Sequence, residues 1–137
     1  MLKQICFFRK RPDMTMDQFM DYYENQHSQL ARKMGAAPAI PNAVRYVRRY
    51  LVPERNPITG QVHDSGYDCI MEIWWNSRED FERSQAIIAS PERQPMTRAD
   101  EDKLFASHAN PVATCIEYDS PMGPGGEATR VELRHGE

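Results

Sequence analysis

The chain has 137 residues, with 17 Lys or Arg against 20 Asp or Glu and a formal net charge of -3. This length suits one domain with one core. So balanced a charge gives no reason to expect binding to nucleic acid or to an anionic membrane. No apolar run is long enough to span a bilayer, and the N-terminus lacks a secretory signal pattern. We therefore expect a cytoplasmic protein.

The cysteines and the motif content argue against a metal or nucleotide site. Cys6, Cys69 and Cys115 are odd in number and have no CxxC spacing, which predicts reduced thiols. There is no Gly-rich phosphate loop, no GxSxG and no HExxH, and the four histidines are far apart in sequence. We predict no cofactor, so an enzyme of this sequence would act by proton transfer and positioning.

The first half begins with a strand and a helix. Residues 2–8 are short, apolar and aromatic, which predicts a strand. Thr15, with Gln18 three residues later, forms the pattern of a capping box at the start of a helix. We expect this helix to run to about Met34 and to end at Gly35, a natural C-terminal cap.

Two more strands follow, separated by a long loop. Residues 43–51 alternate in polarity, and residues 67–75 form the strongest strand pattern of the chain. The polar loop 53–66 is longer than a hairpin requires. Three interpretations are open for it: a lid, an interface arm or a mobile segment.

The last part contains helices, a strand and a tail. Ser77 is placed to cap a second helix, and Thr97 with Asp100 suggests a short third helix over 98–108. Residues 111–119 read as the last strand. We therefore predict a domain over 1–119, followed by a Gly/Pro-rich tail or dimer arm over 120–137.

The element order is β-α-β-β-α-(α)-β. It predicts an α+β fold of the ferredoxin-like, split β-α-β type, with a four-stranded antiparallel sheet and helices on one face. The other face would leave a large apolar patch bare. A homodimer in which two such faces pack together would cover it.

His27 lies on the apolar side of the first predicted helix. At about 100° per residue, that side is formed by Met16, Phe19, Tyr23, His27, Leu30 and Met34. Two interpretations are open. The histidine is either a core group satisfied by a carbonyl or carboxylate, or a general acid or base tuned by an apolar pocket.

Asp68 and Glu72 lie four residues apart on one face of the strongest strand. Two acids among apolar residues require partners. One hypothesis is that they face a pocket and orient or tune His27. The other is that they form cross-strand ion pairs with Arg45 and Arg49 and carry no chemistry.

Several aromatic side chains are candidates to line a pocket for a flat, aromatic or polyketide-like molecule. His108, near the end of the third helix, is a candidate to close over it. The alternatives are a plain core for the aromatic residues and a solvated surface position for the histidine. The candidate substrate-binding residues are Tyr46, Trp74, Phe81 and His108.

Three stretches together resemble the EthD family: "CFFRKRPDMTMDQFMDYYENQH", "YDCIMEIWWNSREDFERS" and "ADEDKLF". The strand "RYVRRYLVP" is similar to the second strand of that family. The resemblance covers about residues 3 to 118. The matching residues are Arg9, Lys10, Arg11, Phe19, Tyr22, Tyr23, His27, Tyr67, Asp68, Glu72, Trp74, Ser77, Asp80 and Phe81.

The resemblance implies a dimeric α+β barrel but no single reaction. Related barrels include cofactor-free cyclases, dehydratases, decarboxylases and isomerases, as well as monooxygenases. Our leading hypothesis is a cofactor-free enzyme acting on an aromatic or polyketide-like molecule. His27 would be the general acid or base, Asp68 or Glu72 would tune it, and Tyr23 would donate a hydrogen bond. The alternatives are a non-catalytic binding protein for a hydrophobic metabolite and a monooxygenase.

Overall fold

The computed structural model describes residues 1–30, 40, 42–123, 125 and 132–135. They form one antiparallel sheet of strand order β2-β3-β1-β4, and helices cover one of its faces. This confirms the predicted α+β, ferredoxin-like class. The elements are β1 Leu2–Phe8, α1 Met16–Asn25, a 3-10 turn His27–Gln29, β2 Ala43–Tyr50, β3 Cys69–Trp75, α2 Arg78–Ile88, α3 Gln94–Glu101 and β4 Val112–Thr114.

The sheet has an inner face under the helices and an outer face that no described helix covers. Side chains alternate between the two faces, so the residues of one strand divide between them. In β1 the inner positions Gln4, Cys6 and Phe8 are buried, and they pair with Ile73, Met71 and Cys69 of β3. The inner face therefore provides the floor of the core.

The first helix begins as predicted. The Thr15 side chain accepts a hydrogen bond from the backbone of Gln18, and the Gln18 side chain reaches back, so the capping box is formed. Phe19 and Tyr23 are fully buried against the sheet. The helix ends earlier than expected, because Gln26 leaves helical geometry (φ -121°) before the 3-10 turn. The predicted end at Met34 and Gly35 lies outside the described residues.

Several other boundaries differ from the prediction, among them the end of the third helix, which lies at Glu101 and not at residue 108. The third helix begins at Gln94 and not after Thr97, because Pro95 is tolerated in a first turn, where its missing N–H is not needed. The strand β3 begins at Cys69, two residues later than expected. The last strand covers only Val112–Thr114, the part that pairs with β1. The proposed division at residue 119 stays a prediction.

The core lies between the inner face and the helices. None of the helices among the described residues has the length and apolar character needed to cross a membrane. The loop 53–66 projects outward, and Ile58 at its tip is 93% exposed. The buried core residues are Leu2, Cys6, Phe8, Phe19, Tyr23, Cys69, Met71, Ile73, Trp75, Leu104 and Phe105.

Candidate functional site

A cavity of about 270 Å³ lies between the helices and the inner face of the sheet. Its wall is mostly apolar and aromatic, and includes Phe8, Met71, Trp75 and Phe105. Ten polar or charged residues also line it, so the wall combines an apolar surface with groups that can orient a ligand. No residue of the loop 53–66 lines this cavity, so the loop does not form a lid over it.

His27 lines the cavity and is held by a carboxylate from another helix. Its Nδ1 forms a hydrogen bond with Oδ2 of Asp100 on α3. The Tyr22 hydroxyl donates to the other oxygen of Asp100 at 2.7 Å. The imidazole packs edge-on against the rings of Tyr23 and Phe105, with centroid distances of 4.9 and 5.4 Å. These contacts fix both the position and the orientation of the ring.

Asp100 is ionised at neutral pH although it is buried. Burial alone raises the pKa of a carboxyl group, but the hydrogen bonds from His27 and Tyr22 outweigh it and lower the pKa of Asp100. An ionised Asp100 accepts the Nδ1 proton, so in a neutral His27 the lone pair is on Nε2. No described residue forms a hydrogen bond with Nε2, which leaves that nitrogen for a bound molecule.

Tyr23 and Tyr46 add a pair of hydroxyls to the wall. Their oxygens are 3.0 Å apart, and either one can donate to the other. Burial raises the pKa of both phenols well above the usual value, so neither acts as a base near neutral pH. The pair can instead offer a hydrogen bond to a carbonyl or phenolate oxygen.

Asp68 and Glu72 do not contact His27, which corrects the expected partnership. Oδ2 of Asp68 accepts a hydrogen bond from the backbone N–H of Lys10 at 2.9 Å, at the end of the sheet. Glu72 points to the outer face, since its position in β3 alternates with the inner residues. Neither carboxylate lines the cavity.

Glu72 has structural partners on the outer face. It accepts a hydrogen bond from Nε1 of Trp74 at 3.0 Å and forms an ion pair with Arg49 at 3.4 Å. The cross-strand alternative therefore holds for Glu72 and Arg49. The predicted ion pair between Asp68 and Arg45 is not formed, because Arg45 is stacked over the Trp74 ring instead.

The other predicted residues lie in the cavity wall, on the outer face of the sheet and against the core. Tyr46 and His108 line the cavity, whereas Trp74 lies on the outer face and Phe81 packs on Trp75, 6.5 Å between ring centroids. His108 forms 2.8 Å contacts with the carboxylates of Glu101 and Asp102, which raise its pKa. The placement thus removes two of the four candidates from the pocket.

Sequence reasoning missed Asp100 as the partner of His27, and it missed Tyr22 as the group that holds Asp100. The histidine and the aspartate are 73 positions apart, and no local spacing connects them. Asp100 was noticed only as a capping residue. Within the described part of the chain, no cluster of His, Cys, Asp and Glu could hold a metal ion.

Several solved structures are similar to this chain at low identity, and three of them follow. An ethyl tert-butyl ether D (EthD) family protein from Bacillus halodurans is 20% identical, with a TM-score of 0.55, and covers 86% of this chain and 99% of its own. HapK from Hahella chejuensis is 14% identical, with a TM-score of 0.50 and 90% and 100% coverage. A protein of Arabidopsis thaliana is 13% identical, with a TM-score of 0.55 and 89% and 100% coverage. Such likeness establishes the fold alone.

The sequence comparison is more specific. No curated protein matches the chain. A family profile described as the EthD domain matches residues 11–108, which is more than half of the sequence. The matched range includes His27, Tyr22 and Asp100. The chain therefore belongs to the EthD family.

Proposed function

We propose that this protein is a cofactor-independent enzyme that moves protons on an aromatic or polyketide-like small molecule bound in the cavity. The observation that carries the proposal is the position of His27. It lines the cavity, and Asp100 holds its Nδ1 so that Nε2 is left for the ligand. A positioned imidazole is the usual general acid or base near neutral pH.

The chemistry assigns one role to each group. Nε2 of His27 takes a proton from an acidic carbon of the ligand, and the ionised Asp100 stabilises the imidazolium that forms. The Tyr46 hydroxyl donates a hydrogen bond to the oxygen on which negative charge develops, and the fully buried Tyr23 hydroxyl can donate to Tyr46 in turn. The same groups, acting in reverse, return the proton to another atom. This supports isomerisation, cyclisation, dehydration or decarboxylation without an added cofactor.

The test uses 2-tetralone, an enolisable bicyclic ketone, as the probe. Incorporation of solvent deuterium next to its carbonyl is followed by NMR for the parent and for His27→Gln. We expect the parent to accelerate exchange. The exchange rate of His27→Gln should be lower by at least about a hundredfold, the usual contribution of general acid–base catalysis. His63→Gln, which changes an exposed loop histidine, is the matched control.

Two outcomes would count against this function. One is exchange by the parent no faster than by free imidazole at the same concentration. The other is exchange by the His27→Gln protein, with its far-UV circular dichroism unchanged, within a few-fold of the parent. If 2-tetralone binds but no exchange is catalysed, the favoured function is the second candidate, a non-catalytic binding protein for a hydrophobic metabolite. The largely apolar wall supports that alternative.

We also propose that two copies associate through the outer face of the sheet. No described helix covers this face, and it carries Ile5, Val47, Ile70 and Trp74, all only half-buried in one chain. Burying apolar surface of this kind favours association. Val47→Asp is expected to shift sedimentation toward the monomer. Val44→Asp, at the exposed bulge of the same strand, should not. A parent that sediments as a monomer at every concentration contradicts the dimer.

A further inference from the structure

Arg93 brings a positive charge to the wall of the cavity. It lies in the connection between α2 and α3, is half-buried, and lines the same cavity as His27. Its backbone N–H bonds to Ser90, but within the described residues its guanidinium has no ion pair or hydrogen bond. Charged side chains that are partly withdrawn from water usually have a partner. A bound ligand is therefore the candidate partner of the Arg93 guanidinium.

The surroundings of Arg93 suit an anion. Ser84 and Gln85 of α2 and Thr97 of α3 line the cavity too, and in the described part of the chain their side chains bond to no other residue. Hydroxyl and amide groups of this kind complement a guanidinium around a carboxylate. The carboxylate of Glu101, the acidic group in the wall, is already bound to His108 at 2.8 Å.

Arg93 and the histidine site occupy different parts of the wall. Arg93 also lines a smaller adjoining cleft with Arg83 and Ser84, whereas His27 packs against Tyr23. A ligand that fills the cavity can therefore contact both without either group competing for the same atom. The volume of about 270 Å³ is at the low end for ligand pockets, which favours one or two fused rings.

We infer that the ligand of this cavity is a small aromatic carboxylate, whose carboxyl group is bound by Arg93 and whose reacting carbon faces His27. The inference rests on the proposed function, since it concerns the same cavity. It also narrows the reaction. An ion pair with Arg93 stabilises the bound carboxylate, and decarboxylation would move that charge away in the transition state, so the anchor opposes loss of CO₂. The carboxylate serves to bind the ligand, and proton transfer takes place at another atom of the molecule.

The test compares two probes of nearly equal shape, 2-naphthoate and its neutral amide, 2-naphthamide. Affinities are measured by isothermal titration calorimetry at pH 7.5. We expect the parent to bind the carboxylate at least about tenfold more tightly, as a charge-assisted hydrogen-bonded pair allows. Arg93→Gln should lose that preference. Its affinity for 2-naphthamide should stay within about twofold of that of the parent, because only the charged contact is removed.

Arg98→Gln is the matched control, since it removes the same charge five residues further along the chain, at an exposed position of α3 outside the cavity. It should keep the preference for 2-naphthoate. Equal affinity of the parent for both probes, no binding of either probe, or an equal loss in both arginine variants would overturn the inference. His27→Gln separates the two proposals. It should retain 2-naphthoate binding while losing deuterium exchange, so a protein that prefers 2-naphthoate without catalysing exchange fails only the proposed function.

Discussion

Two buried carboxylates, on opposite sides of the sheet, differ in what surrounds them. Asp100 lies above the inner face and Glu72 lies on the outer face, and they are 7% and 8% exposed. Burial tends to raise the pKa of each, and hydrogen bonds outweigh it in both, so both pKa values are lowered. The partners of Asp100 are His27 and Tyr22, whereas those of Glu72 are Trp74 and Arg49.

The comparison shows that burial and a lowered pKa do not identify a functional carboxylate. Neither Trp74 nor Arg49 lines the cavity, and nor does Glu72, so the contacts of Glu72 stabilise the sheet. His27 lines the cavity and contacts Asp100 directly, so Asp100 can affect the chemistry of a bound molecule. The neighbours of an acid, more than the acid itself, decide its role.

The largest expected effect comes from removing one tryptophan from each face. Trp75 is fully buried on the inner side, and its Nε1 donates to Oε1 of Gln4 at 3.0 Å. Trp75→Ala should lower the free energy of unfolding by about 3–5 kcal/mol, as for other buried aromatic residues. Trp74→Ala, on the half-buried outer face, should cost about 1–2 kcal/mol, partly by leaving Glu72 short of a donor.

Urea unfolding at several protein concentrations measures both tryptophan variants. Concentration is varied because association through the outer face would add to the cost of Trp74→Ala. A Trp74→Ala cost equal to that of Trp75→Ala at low concentration, where the chain is monomeric, would contradict the difference between the faces.

The next largest effect is on the exchange rate, which should depend on Asp100 and not on Glu72. Asp100→Asn should lower the rate of 2-tetralone deuterium exchange at least about tenfold, because it disturbs the tautomer of His27. The single amide oxygen accepts from Tyr22, so the NH₂ group faces Nδ1 and drives the proton to Nε2. Glu72→Gln, a matched change on the outer face, should leave the rate within about twofold.

A second substitution distinguishes this positioning role from a loss of structure. Removing the competing donor in a Tyr22→Phe, Asp100→Asn double variant frees the amide oxygen for the Nδ1–H of His27. Part of the lost exchange rate should return. A double variant slower than Asp100→Asn, or a Glu72→Gln variant as slow as Asp100→Asn, would argue against Asp100 as the group that orients His27.

The smallest effect concerns stability in acid. The pKa of Asp100 in the folded protein is below its ordinary value of 3.8, so its stabilising contribution is complete above that value and is lost as pH falls through the folded pKa. The same sign holds for Glu72, from its ordinary value of 4.5 downward. Asp100→Asn should flatten the fall in unfolding free energy below pH 3.8, and Glu72→Gln should flatten it below pH 4.5, each by less than about 1 kcal/mol.

Urea unfolding between pH 6 and pH 2.5 measures these slopes. The two substitutions are on opposite faces and share no partner, so their effects should add. Slopes as steep as that of the parent in both variants would show that these carboxylates are not preferentially ionised in the folded state.

The sequence by itself determined the local elements and the fold class. The capping box at Thr15, the alternation in β3 and the cap at Ser77 depend on residues close together in the chain, so their hydrogen bonds follow from short spacings. The 3.6-residue period also placed Tyr23 and His27 on the side facing the sheet. The family could be recognised from such local motifs.

Only the tertiary structure decided which groups meet His27. Period-two alternation placed Asp68 and Glu72 on one face of the predicted strand 67–75, but it does not show which face the helices cover. In the structure Asp68 precedes β3 and Glu72 points to the outer face, so neither contacts His27. The contact with Asp100 depends on how α3 packs beside α1, across 73 residues of chain. Likewise, Arg93 reaches the cavity wall only because the turn between α2 and α3 lies over it. Long-range packing of this kind leaves no spacing that a sequence pattern can reveal.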